Sequence, residues 1–232
     1  IAGIGALYMA YIAYLSRKKL YWVLSSLSAI SVLFSASRSA LAAMVAGFTI
    51  MLFRLSGSLN KFAITSVICI MIGTASFPLW GSALDSVRAK NEANIKAGGV
   101  INSREKLWTS RINEFRNSPI FGVGFCAIDR TTSKNMNLDK RTGMVESGSS
   151  WLIILSMTGL VGAMLLVPVF VRSYLTAYRD EDLFSALVCG ILTLFFVNMI
   201  AEGYIFYGGS QMAFMLWLTV GVAMDCKYLI EE

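Results

Sequence analysis

Two arginines seven positions apart, Arg104 and Arg111, are the residues best placed to do chemistry in this chain. They fall in a stretch that Asn102 or Ser103 can cap and that Ser118-Pro119 stops, which predicts a helix over 103–117. At about 100° per residue, Arg104, Leu107, Trp108, Arg111, Ile112 and Phe115 share one broad face. Glu105, Lys106, Thr109, Asn113 and Arg116 lie opposite. Two guanidiniums set into an apolar face form a fork for phosphate oxygens. The alternative is that they snorkel to headgroups or pair with carboxylates.

Arg38 is the second candidate. It interrupts a long apolar stretch and is flanked by Ser35, Ser37 and Ser39. A charge near membrane depth is costly, so it either faces a cavity with a partner or reaches headgroups from a turn. Glu146 precedes Ser147-Gly148-Ser149-Ser150, where an apolar run begins. A carboxylate there is stabilised by a helix dipole and is also a candidate general base. Glu202, in the turn 201–209, has a similar placement. Asp180-Glu181-Asp182 has the form of a metal site for nucleotide sugars but reads as a solvated loop.

The chain contains no histidine, which excludes imidazole metal sites, Ser-His-Asp triads and imidazole proton shuttles. The four cysteines, Cys69, Cys126, Cys189 and Cys226, form no CxxC pair and read as small apolar fillers.

These residues need a scaffold, and composition names its solvent. Of 232 residues, 56% are hydrophobic and only 15% charged, against roughly 25% charged in a soluble domain. The apolar runs predict an all-α polytopic membrane protein, because only the bilayer can solvate so many apolar helices. About seven spans are expected, near 1–16, 20–36, 39–54, 62–80, 149–171, 183–201 and 210–226. Residues 20–53 as one helix would run about 51 Å, so a hairpin near Arg38 is expected instead. The domains are then 1–80 with four spans, an outer loop over 81–148 carrying helix 103–117, and 149–232 with three spans and a cytoplasmic C-terminus. The chain opens at Ile1 inside an apolar run and reads as part of a longer protein.

Charge sets the expected orientation. Arg17, Lys18, Lys19, Arg54, Lys61, Arg172, Arg179 and Lys227 fall on one side in short segments, and only Arg38 falls on the other outside the long loop. The positive-inside bias puts the first set in the cytoplasm and the loop outside. Within that loop, 129–143 lacks an apolar pattern and reads as mobile. The net charge of +6 is scattered between spans, which points to lipid headgroups or phosphates and not to nucleic acid.

Taken in order, the motifs resemble those of the O-antigen ligase and polymerase superfamily. They are Ser35-Ala36-Ser37-Arg38-Ser39-Ala40; Ser103-Arg104-Glu105-Lys106-Leu107-Trp108, leading to Asn117-Ser118-Pro119-Ile120-Phe121-Gly122-Val123-Gly124; Glu146-Ser147-Gly148-Ser149-Ser150-Trp151-Leu152; Thr158-Gly159-Leu160-Val161-Gly162; and Glu202-Gly203-Tyr204 with Gly209 and Trp217-Leu218. The last three look like the exopolysaccharide-polymerase branch. The resemblance implies a GT-C-like inner-membrane glycosyltransferase. Such an enzyme transfers glycan from undecaprenyl pyrophosphate on the periplasmic or outer face, with no cofactor, nucleotide sugar or metal.

The resemblance further implies roles for Arg38, Arg104 and Arg111; the expectation is that these three hold the pyrophosphate, that Trp108 and Glu202 join in substrate binding, and that Glu146 acts as base. Ten residues separate Arg111 from Gly122, similar to an Arg-x10-Gly pattern of polymerases. Ser103 stands where glycine is usual, and Glu146 about where ligases carry a histidine, which weighs against the ligase branch. Implied partners are the lipid-linked glycan, membrane lipids, a chain-length regulator and a flippase. A ligase acting on a lipid or protein acceptor and, from another class, a polysaccharide or lipid transporter are the competing readings. The one-sided charge and the lack of a repeat favour the enzyme.

Overall fold

A computed structural model describes residues 1–35, 37–63, 102–124 and 148–225, apart from the side chains of 102–104 and 106. Every long element among them is a helix: α1 (Ala2–Ser16), α2 (Lys19–Phe34), α3 (Arg38–Ser56), α4 (Asn102–Asn117), α5 (Ser150–Arg179), α6 (Leu183–Ala201) and α7 (Gln211–Asp225). The fourth expected span, 62–80, and the segment 129–143 lie outside the described residues. The other six expected spans each coincide with a helix.

The turns fall where the sequence interrupts its apolar runs. Arg17 ends α1 in the left-handed region (φ 54°), its N–H bonding to Ala13 O at 3.0 Å, and extended Lys18 starts α2. Ser37 starts α3, its hydroxyl accepting from Ala40 N–H at 3.4 Å, so Arg38 is the first helical residue beyond the expected hairpin.

Helices α3, α5 and α6 are long and apolar enough to cross a membrane, whereas α1, α2 and α7 are shorter apolar helices. At 15 or 16 residues the shorter ones run about 22–24 Å, below the roughly 30 Å of a hydrocarbon core. Helix α5 corrects its expected end. It continues eight residues past 171 to Arg179, for 30 residues in all, because Ser173 and Ala177 still bury against the neighbouring helices beyond the apolar run.

Helix α6 is the hub. It packs against α3, α5 and α7, and its Cys189, Leu192, Phe195 and Met199 are fully buried. Between α3 and α6 the backbones nearly touch: a Cβ on Gly47 would stand 2.7 Å from Gly190 O. Such small-residue crossings bring membrane helices close enough for dispersion to hold them.

Arg54 fastens the opposite end of α3 to its neighbours. Nη1 donates to Ala177 O and Tyr178 O, each at 2.7 Å, and Nη2 donates to Asp180 O and to Ser185 Oγ. The guanidinium also stands 5.1 Å over the Tyr178 ring. It thereby satisfies carbonyls that the end of α5 leaves without helical partners.

Candidate active site at one end of the bundle

The end of the bundle away from Arg54 gathers the starts of α3 and α5 and the turn after α6. Arg38 is exposed there on the first turn of α3. The Ser37 and Ser39 hydroxyls flanking it are 3.2 Å apart, and Ser39 Oγ donates to Glu202 Oε1 at 3.3 Å. Half-buried Glu202 closes α6, its N–H bonding to Asn198 O at 3.0 Å.

Two serines join this turn to α5. The Glu202 carbonyl accepts from Ser150 N–H at 3.1 Å and from Ser150 Oγ at 2.8 Å. Ser150 Oγ accepts in turn from Tyr204 N–H at 3.0 Å, and Ser149 Oγ donates to Met199 O at 3.1 Å. Burial, and secondarily the charge of Glu202, push the Tyr204 hydroxyl above the usual tyrosine range. It stays protonated and donates to Phe195 O at 3.2 Å.

Helix α4 lies against the approach to α5. A Cβ on Gly148 would come 3.0 Å from Leu107 Cβ and 3.2 Å from Trp108 Cδ1. The buried face of α4 is Leu107, Ser110, Arg111 and Glu114. This corrects the expected face, since Ile112 is 38% exposed and Glu114 takes the inward position. The physical reason is charge: buried Arg111 requires a counter-ion, and Glu114 supplies it at 2.7 Å. One expected alternative, pairing with a carboxylate, therefore holds for one nitrogen of Arg111. Trp108 is half-buried, with its indole nitrogen buried. The Arg104 side chain and Glu146 lie outside the described residues.

After α4 the chain enters the break in α5. Gly159 adopts φ 64°, ψ −164°, a region open essentially to glycine alone. The freed backbone groups are taken by the segment after Ser118. Val123 N–H bonds to Ser156 O at 2.9 Å and Gly124 N–H to Met157 O at 3.1 Å. Leu160 N–H bonds to Pro119 O at 2.9 Å and Val161 N–H to Ile120 O at 3.1 Å. Contact is tight, with a Cβ on Gly122 only 2.4 Å from the Met157 carbonyl. Non-helical backbone in a membrane helix is tolerated where protein covers it in this way.

Three features escaped the sequence reading: the Arg111–Glu114 pair, the serine junction to Glu202, and the docking of 119–124 into α5. The i,i+3 spacing of opposite charges was a usable signal for the first. The other two join residues roughly 35 to 50 positions apart, beyond any local pattern.

Among the described residues the long elements are all apolar or docked helices, and one end of them gathers an arginine-bearing helix start and a carboxylate turn. The O-antigen ligase family model matches residues 23–167, more than half of the chain, and the chain belongs to that family. The matched stretch includes Arg38, α4 and the α5 break, whereas Glu202 lies beyond it. No curated protein matches the chain. Members of the family are glycosyltransferase-like ligases and polymerases, and membership implies a lipid-linked glycan as substrate.

Proposed function

We propose that the protein polymerises undecaprenyl-pyrophosphate-linked oligosaccharide repeat units into O-antigen, capsular or exopolysaccharide, on the outer face of the bacterial inner membrane. The observation that carries this reading is the continuous set of contacts from Ser39, beside Arg38, through Glu202 and Ser150 to α5, against which the arginine helix α4 packs. On this reading Arg38, Arg104 and Arg111 balance the charge that develops on the pyrophosphate leaving group. Trp108 and Glu202 contact glycan, and Glu146 takes the proton from the attacking sugar hydroxyl. The seven spans and the GT-C-like arrangement belong to the same reading, as do the cytoplasmic placement of Arg17–Lys19 and partnership with a chain-length regulator and a flippase.

A ligase is the second reading, supported by the description of the matching family. A transporter is less well supported, because among the described residues the carbonyls freed at the α5 break are taken up by protein. Ser156 O and Met157 O are both occupied by the 119–124 segment, whereas broken transporter helices use such groups to coordinate ions. The test is purified full-length protein with an undecaprenyl-pyrophosphate-linked repeat unit. A ladder of lengthening products supports the polymerase, a single transfer to an added acceptor supports the ligase, and no transfer counts against both.

A further inference from the structure

Arg111 and Glu114 are almost completely buried, at 1% and 0% exposure, on the face of α4 that packs inward. Arg111 Nη1 donates to Glu114 Oε2 at 2.7 Å. Arg111 Nε and Nη2 are buried as well, yet neither meets a hydrogen-bond partner among the described residues. The same holds for Trp108 Nε1, one turn earlier, and for Glu114 Oε1.

The choice of nitrogen is informative. A guanidinium is a rigid planar fork, and the edge made by Nε and Nη2 is one that grips two oxygens of an anion side by side. Glu114 occupies the nitrogen outside that edge and leaves the edge whole. Buried N–H donors with no acceptor are rare in native proteins and call for an explanation. A buried guanidinium with no counter-charge would be costlier still, so Glu114 also lets Arg111 sit inside before substrate arrives.

We propose that Glu114 is a positioning residue for glycosyl transfer. It fixes the Arg111 guanidinium so that the Nε–Nη2 edge, together with the Trp108 indole N–H, forms a donor set for one phosphate group of the lipid-linked glycan. The proposal rests on the reading of Arg111 as a pyrophosphate ligand. These nitrogens are shielded from solvent, so phosphate binding and a local rearrangement occur together.

The test uses full-length protein in liposomes with the undecaprenyl-pyrophosphate-linked repeat unit. Glu114→Ala is expected to lower kcat/KM by about ten-fold or more, the loss that follows when a buried charged group is left without its partner. Glu114→Gln, whose amide oxygen still accepts from Nη1, is expected to stay within about three-fold of the parent. If the alanine variant does not accumulate, Glu114→Met, similar in volume and without an oxygen acceptor, replaces it with the same expected loss.

A second readout separates positioning from packing. Guanidinium ion added to Arg111→Ala should restore part of the turnover while Glu114 is present, and none in Arg111→Ala/Glu114→Ala. Parental turnover in Glu114→Ala alongside an inactive Arg111→Ala overturns the proposal, as does equal rescue in both backgrounds. Parental turnover in Arg111→Ala overturns instead the pyrophosphate reading on which it rests.

Discussion

The carbonyl of Glu202 receives two hydrogen bonds from Ser150, one from its backbone N–H at 3.1 Å and one from its hydroxyl at 2.8 Å. The hydroxyl also accepts from Tyr204 N–H, so a single side chain couples the first turn of α5 to both ends of the Glu202 turn. Ser150→Ala keeps the backbone bond and strands the buried Tyr204 N–H. Destabilisation of about 1–3 kcal/mol is expected, read as a lower midpoint of thermal unfolding in detergent. An unchanged midpoint would show that the junction is not holding the turn.

At the α5 break, Gly159→Ala and Gly122→Ala should both fail to give well-folded protein. Each adds a Cβ less than 2.5 Å from backbone, at Ile120 O and at Met157 O respectively, and each glycine has positive φ. Strain at such positions costs about 1–3 kcal/mol before any clash is counted. Gly221→Ala on α7, which would touch nothing within 4 Å, is the control and should fold at least as well as the parent. Size-exclusion profiles of fluorescently tagged variants would compare the three.

Arg54 lies at the end remote from the candidate site, so its effect should be on stability and not on chemistry. Arg54→Ala removes the donor to the carbonyls of Ala177 and Tyr178, while Asp180 O keeps the Ser185 hydroxyl. A loss of about 1–3 kcal/mol is expected, the range for charge-assisted hydrogen bonds of a half-buried guanidinium. Arg54→Lys should recover only part, because a point charge cannot span both branches of the fork. Turnover per folded molecule should match the parent in both variants.

The charge-conserving variants Arg38→Lys and Arg104→Lys address the chemistry. Both should insert normally and abolish chain growth, since an ammonium cannot reproduce bidentate contact with a phosphate. Product ladders from proteoliposomes measure it. Ladders of parental length from both variants would remove these arginines from the mechanism.

Much of the scaffold was legible in the residues themselves. Arg17-Lys18 and Ser35–Arg38 interrupt apolar runs, and helices end there because charge and hydroxyl groups leave the hydrocarbon and cap backbone. Helix α4 was legible to within one residue from its cap and its Pro119 stop. Its buried face was not, because periodicity ranks side chains by polarity and so puts Ile112 inward and overlooks Glu114. A charged residue buried with its counter-ion defeats that ranking. Gly159 stood in a recognised motif, yet its backbone conformation depends on Ile120 and Gly122, which arrive from far away in sequence. The same long reach explains why Ser149 and Ser150 read as an ordinary helix start and not as the joint to Glu202.

The order of synthesis gives the α5 break a further consequence. Residues 119–124 leave the ribosome before Gly159 does, so the strip that will close the interruption already exists when the interruption is made. A nascent α5 therefore need not hold bare carbonyls in lipid for long, provided the earlier strip waits within reach. Moving that strip to the C-terminus by circular permutation would reverse the timing. The second half of α5 would then face the bilayer with its first N–H groups unmet, and insertion would be the step to suffer.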